Sequence, residues 1–142
     1  MNRPILPKRI IGGAPSLGDK VAFTRTLTEA DVALFIGTTW DINPLHTNEL
    51  YSSGTQFKHR IVPGLLTASL LTHLGGLWAF LATEMDFKFI APVYVGDSIT
   101  AEAEVAEIDA QTGAVSLECT CTNQNGIQVL TATVRGFPGT FK

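Results

Sequence analysis

From Ile61 to Thr83 the chain carries no Asp, Glu, Lys or Arg. Gly64 to Leu81 within it predicts a helix about 27 Å long at 1.5 Å per residue. A helix that is apolar almost all round has to be buried, in a bilayer or inside a protein. Eighteen apolar residues qualify on length for a membrane span. Thr67, Ser69, Thr72, His73 and the Gly75-Gly76 pair lower the hydrophobicity of this run, however, and the strands that follow it belong to a soluble protein. The preferred reading is a core helix, wrapped by a sheet or by a sheet plus a partner subunit, with no membrane partner.

After Glu84 the hydrophobic period becomes two. Met85, Phe87 and Phe89 alternate with Asp86 and Lys88; Ile99, Ala101, Ala103 and Val105 with Thr100, Glu102 and Glu104; Val115, Leu117, Cys119 and Cys121 with Ser116, Glu118, Thr120 and Thr122. Such alternation marks half-buried strands. Turn residues separate them at Pro92 to Asp97, Asp109 to Gly113 and Asn123 to Gly126, before a last strand over Ile127 to Arg135. Cys119 and Cys121 share one face and are read as reduced core thiols. Upstream, Gly- and Pro-rich residues 1 to 20 predict an extended arm leading to a short strand near Val21 to Arg25. Thr28 with Asp31 forms a capping box for a helix ending at Gly37, and a short helix is expected through Asn48 to Ser52. The whole reads as one α+β domain, a curved antiparallel sheet wrapped round one long helix.

Composition fits one compact domain: 142 residues, 45% hydrophobic and 16% charged. A net charge of -3 with no block of like charge gives no footprint for nucleic acid. The first ten residues hold Arg3, Lys8 and Arg9 without an apolar run beyond Ile5-Leu6, so no secretory signal is read and a cytoplasmic location is expected. Three scattered histidines and no Cys-x-x-Cys give no metal-ligand cluster.

Function is most readable in Asp41-Ile42-Asn43-Pro44-Leu45-His46. Proline cannot continue a helix and biases its predecessor toward extended geometry, so the run predicts a tight, fixed turn. A rigid turn can aim an acid and a base at one point, and Asp41 with His46 could then hold and deprotonate one water. Asp-x-Asn-Pro is also ordinary turn chemistry, and a lone histidine is commonly structural. Spacing alone leaves both readings open.

The residues resemble the MaoC-like dehydratases and (R)-specific enoyl-CoA hydratases of the hotdog fold, over roughly Leu17 to Phe137. The strongest element is the run from Asp41 to His46, which looks like the family motif Asp-x-Asn-Pro-x-His. Thr28 to Asp31, Ile61-Val62-Pro63-Gly64-Leu65-Leu66 and Ala91-Pro92-Val93-Tyr94-Val95-Gly96-Asp97 look like further landmarks in the right order. The resemblance implies that Asp41 and His46 hold the catalytic water. It also implies that Gly64 donates its backbone N–H to a thioester carbonyl, with Asn43 helping to fix the turn. It implies a cofactor-free homodimer acting on acyl-CoA or acyl-carrier-protein thioesters, with the acyl channel near the subunit interface. Helix-start N–H groups suit Gly64 for that role, because they are unpaired and lie at positive dipole potential.

Two positions depart from the family pattern. Trp40 stands where glycine is common before the motif Asp, and it either narrows the acyl pocket or plugs the core. Pro63 stands where histidine is common before Gly64, and it suits a first helical turn. Lys58, His59 and Arg60 form a basic cluster that could meet the phosphates of coenzyme A, or simply a solvated loop. Ser69 and Thr72 could line the channel or bond back to the preceding turn. His73 reads as a hydrogen-bonded interior or interface residue. The candidate catalytic set is thus Asp41, His46 and Gly64, and the candidate substrate-binding set is Asn43, Trp40, Ser69, Lys58 and Arg60. The competing activities are a hotdog thioesterase and a non-catalytic thioester-binding or pairing subunit.

Overall fold

The computed structural model describes residues 15–139. Five extended segments, β1 (Lys20–Thr26), β2 (Leu81–Phe89), β3 (Ser98–Ile108), β4 (Val115–Thr122) and β5 (Gln128–Phe137), pair antiparallel in the order β1-β3-β4-β5-β2. Four helices complete the described chain: α1 (Glu29–Thr39), α2 (Pro44–Thr47), α3 (Glu49–Ser53) and α4 (Gly64–Leu77). Register shifts at Ala82/Glu84, Val105/Glu107 and Cys121/Thr122 interrupt three of the four ladders. Irregularities of this kind bend a strand and increase its twist, which lets the sheet curl.

The alternation read from the sequence now has a face. Ile99, Ala101, Ala103 and Val105 of β3, Val115, Leu117, Cys119 and Cys121 of β4, and Leu130, Ala132 and Val134 of β5 are buried together. Where Ala101 pairs with Cys121 and Ala103 with Cys119, and Cys119 in turn with Ala132, the buried face is built of small side chains. A helix can lie close to such a surface. α4 does so, packing chiefly on β3. Both cysteines are free and buried, and burial pushes the thiols up to about 12 for Cys119 and about 11 for Cys121. This is the hotdog arrangement, a curved sheet round one helix.

α4 is shorter than the 64–81 run predicts. It spans 14 residues, and Leu81 already belongs to β2. The N–H groups of Trp78 and Ala79 turn back to the carbonyls of Gly75 and Gly76, and Ala79 takes a left-handed φ of 48° that reverses the chain. No helix among the described residues is long and apolar enough to cross a membrane. Nor is α4 buried all round. Thr67, Leu70, Leu71, Leu74 and Trp78, at helical spacing, face the sheet, while Leu65, Thr72, His73 and Gly76 are exposed. His73 is therefore not an interior residue of the single chain; its ring lies against Phe23 at 4.3 Å between centroids.

Most of the expected N-terminal arm lies outside the described residues. Its last part is a turn, with the Asp19 N–H on the Ser16 carbonyl, leading into β1. β2 begins at Leu81, four residues before the expected Met85, and forms one edge of the sheet. Met85 and Phe89, expected to be half buried, are 45% and 55% exposed, because the edge strand lacks a neighbour on one side.

Leu74 sits 1% exposed at the middle of the helix–sheet contact. Leu74→Ala should lower unfolding free energy by about 2–5 kcal/mol, the usual cost of emptying such a position. Urea unfolding midpoints of the two proteins at equal slope check this.

Candidate active site

The capping box read at Thr28 is formed. Thr28 Oγ1 accepts from the Asp31 N–H at 3.3 Å, and Asp31 Oδ2 accepts from the Thr28 N–H at 2.8 Å. Those bonds to Thr28, followed by the Arg25 guanidinium, hold the Asp31 carboxyl below its ordinary value. The helix does not stop at Gly37. Thr38 and Thr39 donate their hydroxyls to the carbonyls of Leu34 and Phe35, extending the last turn, and Trp40 closes it in the left-handed region at φ 57°.

That geometry corrects both readings of Trp40. The ring is 82% exposed, so it neither plugs the core nor lines the cavity. The residue serves as a helix cap whose N–H donates to the Ile36 carbonyl at 2.8 Å. A left-handed position is one that glycine occupies without a Cβ clash, which gives a backbone reason for glycine before the motif Asp.

The Asp41 N–H donates to Thr39 Oγ1 at 3.2 Å, and the Asn43 N–H donates to Asp41 Oδ1 at 3.1 Å. Asn43 Oδ1 in turn accepts from the Leu45 N–H at 3.0 Å and starts α2, with Pro44 as its first residue. The expected continuous turn is therefore a turn over Asp41 to Asn43 followed by one helical turn that carries His46. Asn43 is spent on this capping and does not line the cavity, so its place in the substrate-binding set is corrected to a turn-fixing one.

His46 is buried, its side chain 10% exposed, and Asp41 half exposed at 42%. His46 Nδ1 lies 2.7 Å from the Ile61 carbonyl oxygen. A carbonyl has no proton to give, so Nδ1 is the N–H of the ring, and Nε2 of the neutral imidazole offers a lone pair. Nε2 lies 3.7 Å from Asp41 Oδ2. Two acceptors therefore face each other, too far apart for a direct hydrogen bond.

Both groups border a cavity of about 680 Å³. Its walls are mainly apolar and include Phe35, Phe57, Phe89, Val93 and Leu130, and the start of α4 opens into it at Pro63, Gly64 and Thr67. Pro63 lies one position outside the helix, at the N-cap, with no side-chain cap bond. A Cβ on Gly64 would stand 2.8 Å from Phe89 Cε1 and 2.9 Å from Cδ1, so only glycine lets the phenyl ring lie this close to the helix start. The N–H groups of Gly64 and Leu65 precede the first intrahelical bond.

The remaining substrate-binding candidates are not brought to the cavity. Ser69 donates its hydroxyl to the Leu66 carbonyl at 2.6 Å and Thr72 to the Ser69 carbonyl at 2.6 Å, and neither lines the cavity. Lys58 is exposed with a left-handed φ of 65° and is likewise absent from the wall. Arg60 is occupied. Its guanidinium pairs two-pronged with Glu29 at the start of α1, approaches Glu49 of α3 at 3.6 Å, and donates to the His46 carbonyl at 3.3 Å. Its N–H also donates to Glu49, whose other oxygen meets His59 Nδ1 at 2.8 Å. The expectation of a phosphate-binding Arg60 gives way to a clamp that holds three helices round His46. Sequence reading missed this clamp because its members lie 31 and 11 residues apart. It also missed Thr67, whose only signal is its place three residues after Gly64. Among the described residues no group of three His, Cys, Asp or Glu side chains could hold a metal ion.

The side-chain bonds to Arg60 lower the Glu29 carboxyl below its ordinary value. A depressed folded-state value means the contribution is present above the ordinary glutamate range and is lost as pH falls through the folded value. Arg60→Gln should therefore cost about 0.5–1 kcal/mol at pH 7, a small figure because Glu29 is largely exposed. The part due to Glu29 should vanish in acid, while the bond to the His46 carbonyl is lost at every pH. Unfolding midpoints of both proteins, measured between neutral pH and the acid limit of folding, test it.

The model of the MaoC like domain matches residues 13–125. The (R)-specific enoyl-CoA hydratase of Rhodospirillum rubrum is 36% identical over 110 residues, covering 74% of this chain and 76% of the relative. The (R)-specific enoyl-CoA hydratase of Aeromonas caviae is 32% identical over 121 residues, covering 81% and 89%. Among solved structures, the (R)-hydratase from A. caviae superposes with a TM-score of 0.85 at 28% identity, over 90% of this chain and 100% of that one. An unliganded R-hydratase from Pseudomonas aeruginosa gives 0.82 at 27%, over 89% and 84%. The chain belongs to the MaoC-like domain family.

Proposed function

We propose that the protein hydrates trans-2-enoyl thioesters to (R)-3-hydroxyacyl thioesters, and catalyses the reverse dehydration, with Asp41 and His46 holding the water. The observation that carries this is the pair of acceptors, Asp41 Oδ2 and His46 Nε2, 3.7 Å apart beside an apolar cavity. A water donating one O–H to each satisfies both, and its own lone pair is then free to attack. Relatives named (R)-specific enoyl-CoA hydratase and 3-hydroxybutyryl-CoA dehydratase support the same reaction class.

The chemistry follows from charge. As the water oxygen bonds to the β-carbon, the C=C electrons move toward the thioester and negative charge collects on its oxygen. The N–H of Gly64, at the positive end of α4, is placed to receive that charge. The water's proton passes to the Asp41–His46 pair, and a proton from the pair goes to the α-carbon, so the enzyme ends as it began. The apolar walls accept the acyl chain, and no cofactor enters any of these steps.

The proposed homodimer is supported by the open side of the sheet. β2 is an edge strand carrying exposed Leu81, Met85 and Phe89, and an exposed apolar edge is a ready surface for pairing. The exposed face of α4 stands beside it in sequence, with Leu65 58% exposed. Sedimentation should give twice the 15.3 kDa chain mass, and Met85→Lys should shift the equilibrium toward the single chain.

Activity is tested by mixing the protein with crotonyl-CoA and following loss of the conjugated absorbance beside a free-thiol readout. Hydration without thiol release is the expected result; thiol release would instead mark a thioesterase, and silence across chain lengths a binding subunit. Asp41→Asn and His46→Ala should each lower turnover by about 10² to 10⁴, the usual weight of a general acid or base. Near-full activity in either variant sinks the assignment.

A further inference from the structure

Hydroxyls in the helices of this protein follow one habit. Thr38, Thr39, Thr47, Ser69 and Thr72 each donate to a carbonyl three or four residues back. Back-bonding of this kind is how a helical serine or threonine satisfies itself. Ser52 reaches instead to the Pro44 and Leu45 carbonyls, and Thr67 alone of these buried hydroxyls has no bond among the described residues. It is 2% exposed, and its Oγ1 is the buried side-chain polar atom that finds no partner among the described residues.

The local bonding shows that the acceptor four residues back is taken. The carbonyl four residues back is that of Pro63, and it already accepts from the N–H groups of Leu66 at 2.9 Å and Thr67 at 3.3 Å. A carbonyl has two lone pairs, and both are taken. An unsatisfied buried hydroxyl is costly, so it persists where a use outweighs the cost or where a ligand completes it. Thr67 also lines the cavity that Asp41, His46 and Gly64 border. Residues three apart lie on one face of a helix, and side chains lean toward the helix start, so the Thr67 hydroxyl leans toward the turn that begins at Gly64.

We propose that Thr67 Oγ1 binds substrate directly, donating a hydrogen bond to the thioester carbonyl oxygen alongside the Gly64 N–H. The inference rests on the thioester reading above and adds a second donor to it. One backbone N–H supplies a single bond to an oxygen that accepts two; the neighbouring hydroxyl completes the pair. The other polar threonine of the wall, Thr39, is already engaged with the Phe35 carbonyl and the Asp41 N–H.

The test separates the carbonyl contact from the rest of binding. Calorimetry with the wild type, Thr67→Val and Thr67→Ser measures affinity for butyryl-CoA and for its S-butyl thioether analogue, which lacks only the carbonyl oxygen. The wild type should prefer the thioester. Thr67→Val, nearly isosteric, should lose about tenfold of that preference while binding the thioether as before, and Thr67→Ser should keep it. Thermal unfolding guards against a folding defect: Thr67→Val should melt no lower than the wild type, since a methyl replaces an unsatisfied hydroxyl. In the hydration assay Thr67→Val should lose about ten- to a hundredfold in kcat/KM, with Thr67→Ser within about threefold.

Unchanged preference in Thr67→Val overturns the proposal, and so does an equal loss for both ligands, which marks a shape-setting wall residue. If the preference behaves as described while the wild type hydrates nothing, the contact stands and the hydratase reading falls. If the wild type hydrates and Thr67→Val keeps its preference, the contact alone falls.

Discussion

The 2.7 Å hydrogen bond from the His46 ring to the Ile61 carbonyl ties together the parts on which the site depends. Ile61 answers through its own N–H, which donates to the Leu45 carbonyl at 3.0 Å, so the short helix bearing His46 is held from two directions. The same segment is anchored to the sheet side, because Ile61 bridges Tyr94 and the Val62 N–H donates to the Val93 carbonyl at 2.7 Å. Two residues later α4 begins. The imidazole, the start of the helix and the loop before β3 therefore form one bonded unit, and the ring is fixed in the tautomer that leaves Nε2 as the acceptor. Were that bond lost, the ring would be free to turn Nε2 away from Asp41.

The position of α4 follows from a contest between its two faces. Leu70, Leu71, Leu74 and Trp78 are drawn onto the small-residue floor made by Ala101, Ala103, Cys119 and Ala132. Apolar burial of this kind sets the depth of the helix but says little about its sliding along the sheet. The axial position is set at the helix start, where Pro63 offers its carbonyl to two N–H groups and Phe89 packs into the space that a side chain on Gly64 would fill. That contact couples the start of the helix to β2. The bonding at Pro63 also takes from Thr67 the acceptor four residues back, and among the described residues Thr67 carries the one buried side-chain hydroxyl without a partner.

What the sequence made legible is what depends on neighbours along the chain. The capping box at Thr28, the turn chemistry of Asp41 to Pro44 and the period-two strands are local, and each is found where it was read except that β2 begins earlier, at Leu81. The convergence of Asp41, His46 and Gly64 on one cavity was legible only through the family resemblance, since 18 residues separate His46 from Gly64 and no periodicity links them. Trp40 was misread because residue type was taken as evidence of burial; its left-handed backbone, invisible in composition, decides its place. Arg60 was misread for the opposite reason: its charge is real, but its partners Glu29 and Glu49 come from helices whose packing no local pattern predicts. The length of α4 was overestimated because an uncharged run reads alike as helix and as edge strand, and only the reversal at Ala79 divides them.

β2 links the chemistry to assembly. Phe89, its last residue, is at once a wall of the cavity, the ring packed on Gly64, and a 55% exposed apolar side chain on an open sheet edge. In the proposed dimer, whatever covers that edge presses on the ring that positions the helix start. A ring free to turn would let the start of α4 breathe, and the two donors proposed at Gly64 and Thr67 would lose their common aim. Preorganised donors stabilise developing charge because they need not move when it appears. On the proposed function, the exposed edge of β2 and the precision required at the oxyanion position are therefore one problem, and the proposed pairing along β2 serves both.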